Sequence, residues 1–435
     1  MRSPEPSSAV VRERSRDLLG LLRDIIVTSG ARVYSTLVSL VALMLTARWL
    51  GPDGRGVVVV VTTWVTLFSS IGYLSLGQVC VHRAANEPDQ QWIGPALGAL
   101  ATVAVTATLF GWVAISVLYA LARHKLFAGI PLGALALGFA ALPVAIWEQY
   151  GSALLSVIGK LGIYNINQVV GRTLSLAILL ITILGLGLGI YGFLIAYVAG
   201  QLAVSSAGAA VLVRHARGRL KGGLKAVGWL VRDGLKIHLN AIGVLLFSGA
   251  DIIMLQYFRG PAEAGIFQLP MQLFLALLLV PQSAQLALQS RVSGRSRGEF
   301  WREHRAIMVA VIGGMAGIAV ILWLLAPSLI LLVGSRRFEG SAAVFRILLL
   351  GVPGACFNTM MQIQWVIRGR FLLISGITLT TGVLNCLLNL ILIPAYGSHG
   401  AAIATVAGLY LIPVSSSAVL VWHVSRESAH ETGRG

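Results

Sequence analysis

The sequence is short of charge. Only 11% of its residues are Asp, Glu, Lys or Arg, while 57% are hydrophobic, where a soluble domain carries about 25% charged residues. A water-soluble globular fold is thereby excluded, and the chain reads as an integral membrane protein. Acid is the scarcer sign, with 16 acidic residues against 33 Lys and Arg. The resulting net charge of +17 would point to nucleic acid in a soluble protein, but here the basic residues fall in short loops between apolar runs. There they orient helices and attract anionic head groups, so membrane lipids and no nucleic acid are the expected surroundings. Cysteine is nearly absent. Cys80, Cys356 and Cys386 stand in apolar stretches without metal-ligand spacing, which excludes a disulfide framework and reads as small core residues. The eight histidines are scattered without an H-E-x-x-H set, and neither G-x-S-x-G nor a phosphate-binding P-loop occurs. Catalytic residues, cofactors and metals are therefore expected to be none, and the chain does not read as an enzyme. A cleavable signal peptide is not expected either, since the charged, Pro/Ser-rich start leads into an apolar run too long for a signal segment.

What is present is organised around one polar stretch, Arg214 to Lys236, which holds seven Lys and Arg against the single acid Asp233. Short Lys/Arg-rich loops resist translocation, so this stretch is a cytoplasmic linker between two halves of similar length. A bilayer core takes about 20 mainly apolar residues per helix, and that ruler fits twelve spans. The expected layout is an N-tail over 1–24, a six-helix bundle over 25–213, the linker over 214–236, a second six-helix bundle over 237–422 and a C-tail over 423–435. An even count puts both termini on the linker's side. That side holds 23 Lys and Arg and the other seven, the bias expected when both ends are cytoplasmic.

The halves echo one another. Gly51-Pro52 with Gly56 returns as Gly260-Pro261 with Gly265; Gly159-Lys160 returns as Gly369-Arg370; Gly189 with Gly192 returns as Gly397 with Gly400. Three matches in one order, at offsets of 208 to 210 positions, indicate internal duplication. The G-P-x-x-x-G motifs read as tight turns. Interior prolines Pro131, Pro143, Pro270, Pro281, Pro353 and Pro413 each free a backbone carbonyl and are places for a kink.

These residues also carry a resemblance. Ala47 to Gly56, followed by Gly72 to Gly77, is similar to the N-terminal signature of the oligosaccharide flippases of bacterial polysaccharide biosynthesis. Ser248 to Pro261, followed by Ala264 to Phe267, is similar to the region joining the seventh and eighth helices of the same family. That family belongs to the multidrug/oligosaccharidyl-lipid/polysaccharide (MOP) superfamily. The resemblance implies an all-α, V-shaped pair of six-helix bundles around a central cavity. It further implies a transporter of the bacterial cytoplasmic membrane that flips a polyprenyl-diphosphate-linked oligosaccharide, with glycan polymerases or glycosyltransferases as further partners.

Ionisable residues within spans are costly and mark function by default. Asp251 lies deepest, about 14 residues and so roughly 21 Å into the seventh span. It is either an ion-coupling residue or one partner of an Asp–Arg pair pinning two helices. Glu148 is the second acid, read as an ion-coupling residue or an inter-helix hydrogen bond. Arg32, Arg172 and Arg346 are the in-span cations. A guanidinium fork suits phosphate oxygens, so each is a substrate-binding residue unless it snorkels to the membrane surface. Among the amides, Asn240 and Asn385 stand as sugar contacts, with polar glue between helices as the alternative. Two other functions remain open: a MATE-like cation-coupled multidrug antiporter, which favours an acidic cavity, and a membrane enzyme of glycan assembly, disfavoured by the short outer loops.

Overall fold

The computed structural model describes residues 8–87, 89–216, 224–289 and 297–422. Residues 1–7, 217–223 and 423–435, which belong to the expected tails and linker, lie outside the described residues. Among those described, every regular element is helical. The run Ser8–Gly72 breaks at Gly51 into α1 (residues 8–50) and the first part of α2, which a turn at 73–75 joins to Leu76–Asn86. Then follow α3 (Ile93–Ala122), α4 (Leu132–Phe139 and Leu142–Val157), α5 (Leu161–Leu180, ending in a wide turn over Ile181–Gly185) and α6 (Gly189–His215). The second half holds α7 (Leu224–Arg259), α8 (Pro261–Leu277 and Leu279–Gln289), α9 (Arg297–Gly334) and α10 (Ser341–Leu350 and Val352–Ile367). Phe371–Leu409 breaks at Gly397 into α11 (residues 371–396) and α12, which continues to residue 422.

Among the described residues, nine helical runs are long and apolar enough to cross a membrane, ten with the bent pair that forms α10. Two of these, Gly30–Asn86 and Leu372–Trp422, are of double length. Divided at Gly51 and Gly397, they complete the twelve spans as two six-helix repeats. Expected ends and observed ends differ chiefly where polar residues extend a helix. Thus α1 begins at Ser8 within the segment read as a tail, and α7 begins at Leu224 within the linker.

The duplication is written in the backbone. Gly51 has φ/ψ of 65°/−176° and Gly260 of 89°/179°, a region that L side chains rarely adopt. Each is followed by proline at a helix start, where the missing N–H costs nothing. Gly159 and Gly369 have φ of 69° and 64°, and Gly189 and Gly397 of 54° and 57°, so each spaced glycine pair shares a positive φ. The prolines follow suit. Pro131 precedes α4, Pro143 and Pro353, 210 positions apart, stand at the breaks within α4 and α10, and Pro270 and Pro413 lie inside α8 and α12. The bend in α10 is 44°.

Contacts between the halves gather at both ends of the bundle. At the end away from the linker, a Cβ on Gly56 would lie 1.7 Å from the Pro261 carbonyl oxygen, and one on Gly265 would lie 2.2 Å from that of Pro52. The two G-P-x-x-x-G motifs are thus more than turns: they pack face to face, each second glycine admitting the other half's backbone. Gln256 donates to the Ala128 carbonyl at 2.8 Å, and Arg48 to that of Leu332. At the linker end, α2 meets α7. Ser75 Oγ lies 3.1 Å from His238 Nδ1, Gly234 backs onto Leu74, and Arg83 stacks on Trp229 at 4.4 Å. Cys80 and Cys356 are buried and unpaired within this core.

Candidate functional site

Helices α1, α2, α5, α6 and α8 enclose a cavity of ≈ 140 Å³ whose polar lining comes from Ser39, Arg55, Arg172, Ser175, Tyr197 and Gln272. Sequence patterning placed Arg55 in a loop, because G-P-D-G-R-G reads as a turn. In the structure Pro52 starts α2, so Arg55 falls in its first turn and is buried at 3% exposure. Its guanidinium donates to Thr46 Oγ1 from Nη1 at 2.8 Å and to Gln268 Oε1 from Nε and Nη2 at 3.2 and 2.9 Å. Nη2 also reaches Gln272 Oε1 at 3.3 Å, and the group sits over the Phe193 ring at 5.7 Å. A guanidinium has five N–H donors, and one on Nη1 remains uncommitted. Every acceptor it has is neutral.

Arg172, half-buried on α5, shares the cavity and forms neither hydrogen bond nor ion pair among the described residues. The Tyr34 hydroxyl, 2.6 Å from Thr173 Oγ1, fastens α1 to α5 beside it. No acid lines this space. Two cations that line one cavity and form no ion pair among the described residues can receive a multiply charged anion such as a phosphate or diphosphate.

The duplication explains why the space exists. In the second half α7 and α11 close through glycines: a Cβ on Gly243 would lie 2.7 Å from Leu379 Cα, and one on Gly382 2.6 Å from the Gly243 oxygen. At offsets of 209 and 210 the first half carries Tyr34 and Arg172 instead, large side chains where the second half has none. The cavity-lining residues Ala42, Ser175, Leu179, Phe193 and Tyr197 correspond, at offsets of 208 to 210, to Asp251, Asn385, Asn389, Ala401 and Thr405.

That second set is itself a polar cluster. Asp251 is 1% exposed and accepts hydrogen bonds from Asn389 Nδ2 and, at 3.2 Å, from Thr405 Oγ1. Asn389 Nδ2 also donates to Asn385 Oδ1 at 2.9 Å, and the Ala401 carbonyl, 2.9 Å from Thr405 Oγ1, shares that hydroxyl's single hydrogen with the Asp251 carboxylate. Asn389 Oδ1 and Asn385 Nδ2 are buried with no hydrogen-bond partner. No arginine or lysine pairs with Asp251 among the described residues, so the alternative of an Asp–Arg pin is not what the geometry offers. One carboxylate among neutral oxygens is a donor set for a hard cation. Among the described residues no three His, Cys, Asp or Glu gather into a metal cluster.

Glu148 sits on α4 with both carboxylate oxygens engaged. Oε1 accepts from Tyr164 Oη at 3.2 Å and Gln168 Nε2 at 2.8 Å, and Oε2 from Gln201 Nε2 at 3.0 Å. It ties α4 to α5 and α6. Arg346 lies apart from the cavity, donating to the Trp323 carbonyl at 3.0 Å and stacking on that indole at 4.8 Å. Arg32 is exposed on α1. Asn240 is half-buried on α7, its Oδ1 without a partner.

With this geometry in hand, comparison with known proteins is informative. A family model described as polysaccharide biosynthesis protein matches residues 21–288. No curated protein matches the sequence. Among solved structures, the lipid II flippase MurJ in an inward closed conformation superposes with a TM-score of 0.73 at 12% identity, over 93% of this chain and 91% of its own. An inward-facing multidrug resistance MATE family transporter of the MOP superfamily gives 0.64 at 15% identity, over 92% and 94%. A MOP superfamily transporter from Pyrococcus furiosus, described as having a binding pocket of reversed polarity, gives 0.64 at 16% identity, over 92% and 95%. At such identities these likenesses establish a shared fold.

Proposed function

The chain belongs to the polysaccharide biosynthesis protein family, and from that premise we propose that it flips a polyprenyl-diphosphate-linked oligosaccharide across a bacterial cytoplasmic membrane by alternating access. The observation that carries this reading is the cavity where Arg55 and Arg172 meet with no acid in the lining. A diphosphate is the part of such a substrate that needs cationic forks in a site screened from water. Arg55 and Arg172 would hold it, while Arg32, about two turns before Ser39 on α1, would meet it on approach. Asp251 would take the coupling ion, a sodium ion or a proton, with Asn385, Asn389 and Thr405 supplying neutral oxygens. Glu148, already engaged by three donors, is the second coupling candidate. Residues 25–213 and 237–422 would move as the two halves, with tails and linker on the cytoplasmic side.

The test is deletion of the gene followed by mass spectrometry of lipid-linked intermediates and surface glycan. Complete lipid-linked units should accumulate on the cytoplasmic side while the surface glycan disappears. Wild-type protein should restore export and Arg172→Gln should not. Unchanged glycan with raised susceptibility to cationic compounds would replace this reading with a multidrug antiporter.

A further inference from the structure

A second cavity of ≈ 140 Å³ lies in the second half, between α7, α10, α11 and α12. Its lining carries no charged side chain. Asn358, Gln362, Thr378 and Thr381 present polar atoms, Trp365 a ring, and Phe247 with neighbouring aliphatic groups the apolar wall. Asn358 and Gln362 are four apart on α10 and so share a face, with Trp365 the next turn along.

The hydrogen bonds here leave specific atoms unspent. Gln362 Oε1 accepts from Gln285 Nε2 at 3.2 Å, which orients the carboxamide and leaves its NH₂ free to donate. Thr378 and Thr381 donate to the carbonyls of Ile374 and Ile377 at 2.9 and 2.6 Å, so each hydroxyl oxygen remains an acceptor. Among the described residues, neither the Asn358 amide nor the Trp365 indole N–H has a hydrogen-bond partner.

The cavity is also a place that the first half fills. At offsets of 208 to 210, Asn358, Ile374, Thr378 and Leu409 correspond to Glu148, Tyr164, Gln168 and Gln201. Those four make the closed network around the Glu148 carboxylate. In the second half each counterpart is shorter or apolar, the network is gone, and all four counterparts line the open space.

We infer that this cavity is a saccharide subsite, in which one pyranose ring lies on the Trp365 indole and its hydroxyls bond to Asn358, Gln362, Thr378 and Thr381. The chemistry selects that ligand. A neutral lining of interspersed donors and acceptors matches hydroxyl groups, which both donate and accept. It carries no charge to offset that of a phosphate or of a cationic drug. An indole face is electron-rich and attracts the weakly positive C–H groups on the apolar face of a sugar ring. The inference rests on the proposed function, in that a transported saccharide needs a place apart from its diphosphate.

The experiment uses the purified full-length chain in lipid nanodiscs. Saturation-transfer-difference NMR is recorded with free glucose, galactose, mannose and N-acetylglucosamine. In parallel, inorganic pyrophosphate binding is measured by calorimetry. At least one pyranose should give transfer to its ring C–H protons, with the signal lost at least tenfold in Trp365→Ala. The triple variant Asn358→Glu, Thr378→Gln, Leu409→Gln installs three of the four members of the first half's network and should silence the signal without disturbing pyrophosphate binding. Pyrophosphate retained by a folded chain with no sugar signal, or a sugar signal that survives both variants, overturns the subsite and leaves the diphosphate reading intact. A Trp365-dependent sugar signal with no pyrophosphate binding keeps the subsite and sinks the diphosphate reading instead.

Discussion

Arg55 carries the largest consequence of any single residue. Its charge is buried with only neutral acceptors, an arrangement that costs folding free energy, since a buried ion without an opposite charge is poorly compensated. Sites that sacrifice stability for chemistry show that signature. Arg55→Gln should therefore keep or raise the thermal unfolding temperature while weakening pyrophosphate binding about 10- to 100-fold, the worth of one or two charge-assisted hydrogen bonds at roughly 1.5–3 kcal/mol. A loss of stability with unchanged affinity, read by unfolding and calorimetry, would make Arg55 a structural strut. The residue was hard to find from sequence for a definite reason: a Gly/Pro-rich motif reads as a turn, and only the position of Pro52 at a helix start hints that Arg55 is already inside. Asp251 and Arg172 were visible because a charge in an apolar run stands out. That Arg172 faces a cavity while Arg346 clamps Trp323 depends on helix rotation, which a run of uniformly apolar neighbours does not encode.

At the scale of elements, the two G-P-x-x-x-G helix starts are a mutual seat. The spacing made their pairing in sequence plain and their left-handed glycines expected, but a contact between residues some 209 positions apart arises only once the halves pack. Any side chain at Gly56 must move the start of α8, because the predicted Cβ position overlaps backbone rather than a side-chain tip that can swing away. Gly56→Ala should therefore loosen the end of the molecule opposite the linker. In a chain freed of native cysteines, a Gln268→Cys probe should react several-fold faster with a membrane-impermeant maleimide applied from that side when Gly56→Ala is present. Gly265→Ala should act alike, since the contact is reciprocal, and Gly151→Ala, whose Cβ would meet nothing within 4 Å, should leave the rate unchanged. Equal rates in all three would show that the seat does not close the path. The same logic applies to α4 and α10: their prolines were legible as breaks, whereas the size of the bend in α10, 44° at Gly351, where Val406 and Leu409 of α12 lie close by, was not.

Across the whole molecule, duplication followed by divergence has produced an alternation of filled and open sites. The first half fills its Glu148 site and opens an arginine-lined cavity; the second fills the equivalent of that cavity with Asp251 and its amides and opens the equivalent of the Glu148 site. The proposed anion site and the proposed cation site thus occupy related positions in the two halves. For an exporter driven by an inward ion gradient, the ion and the substrate travel in opposite directions. Each ion then brings about 2.3 kcal/mol per 100 mV of membrane potential. Exchange of that kind requires the two ligands to favour different states, so their coupling is negative, and by linkage it is the same in both directions, typically 5- to 150-fold. Saturating sodium should accordingly weaken pyrophosphate binding at the Arg55–Arg172 cavity by at least fivefold, with choline as the control ion. Pyrophosphate should weaken sodium binding by the same factor. In Asp251→Asn, which keeps the size and hydrogen-bonding ability of the side chain while removing the charge, the effect should vanish and pyrophosphate affinity should stay at its sodium-free value. If sodium instead leaves pyrophosphate affinity untouched while protons shift it in an Asp251-dependent way, the coupling ion is the proton. If neither ion shifts it, the Asp251 cluster is glue between α7, α11 and α12, and the energy for transport enters elsewhere.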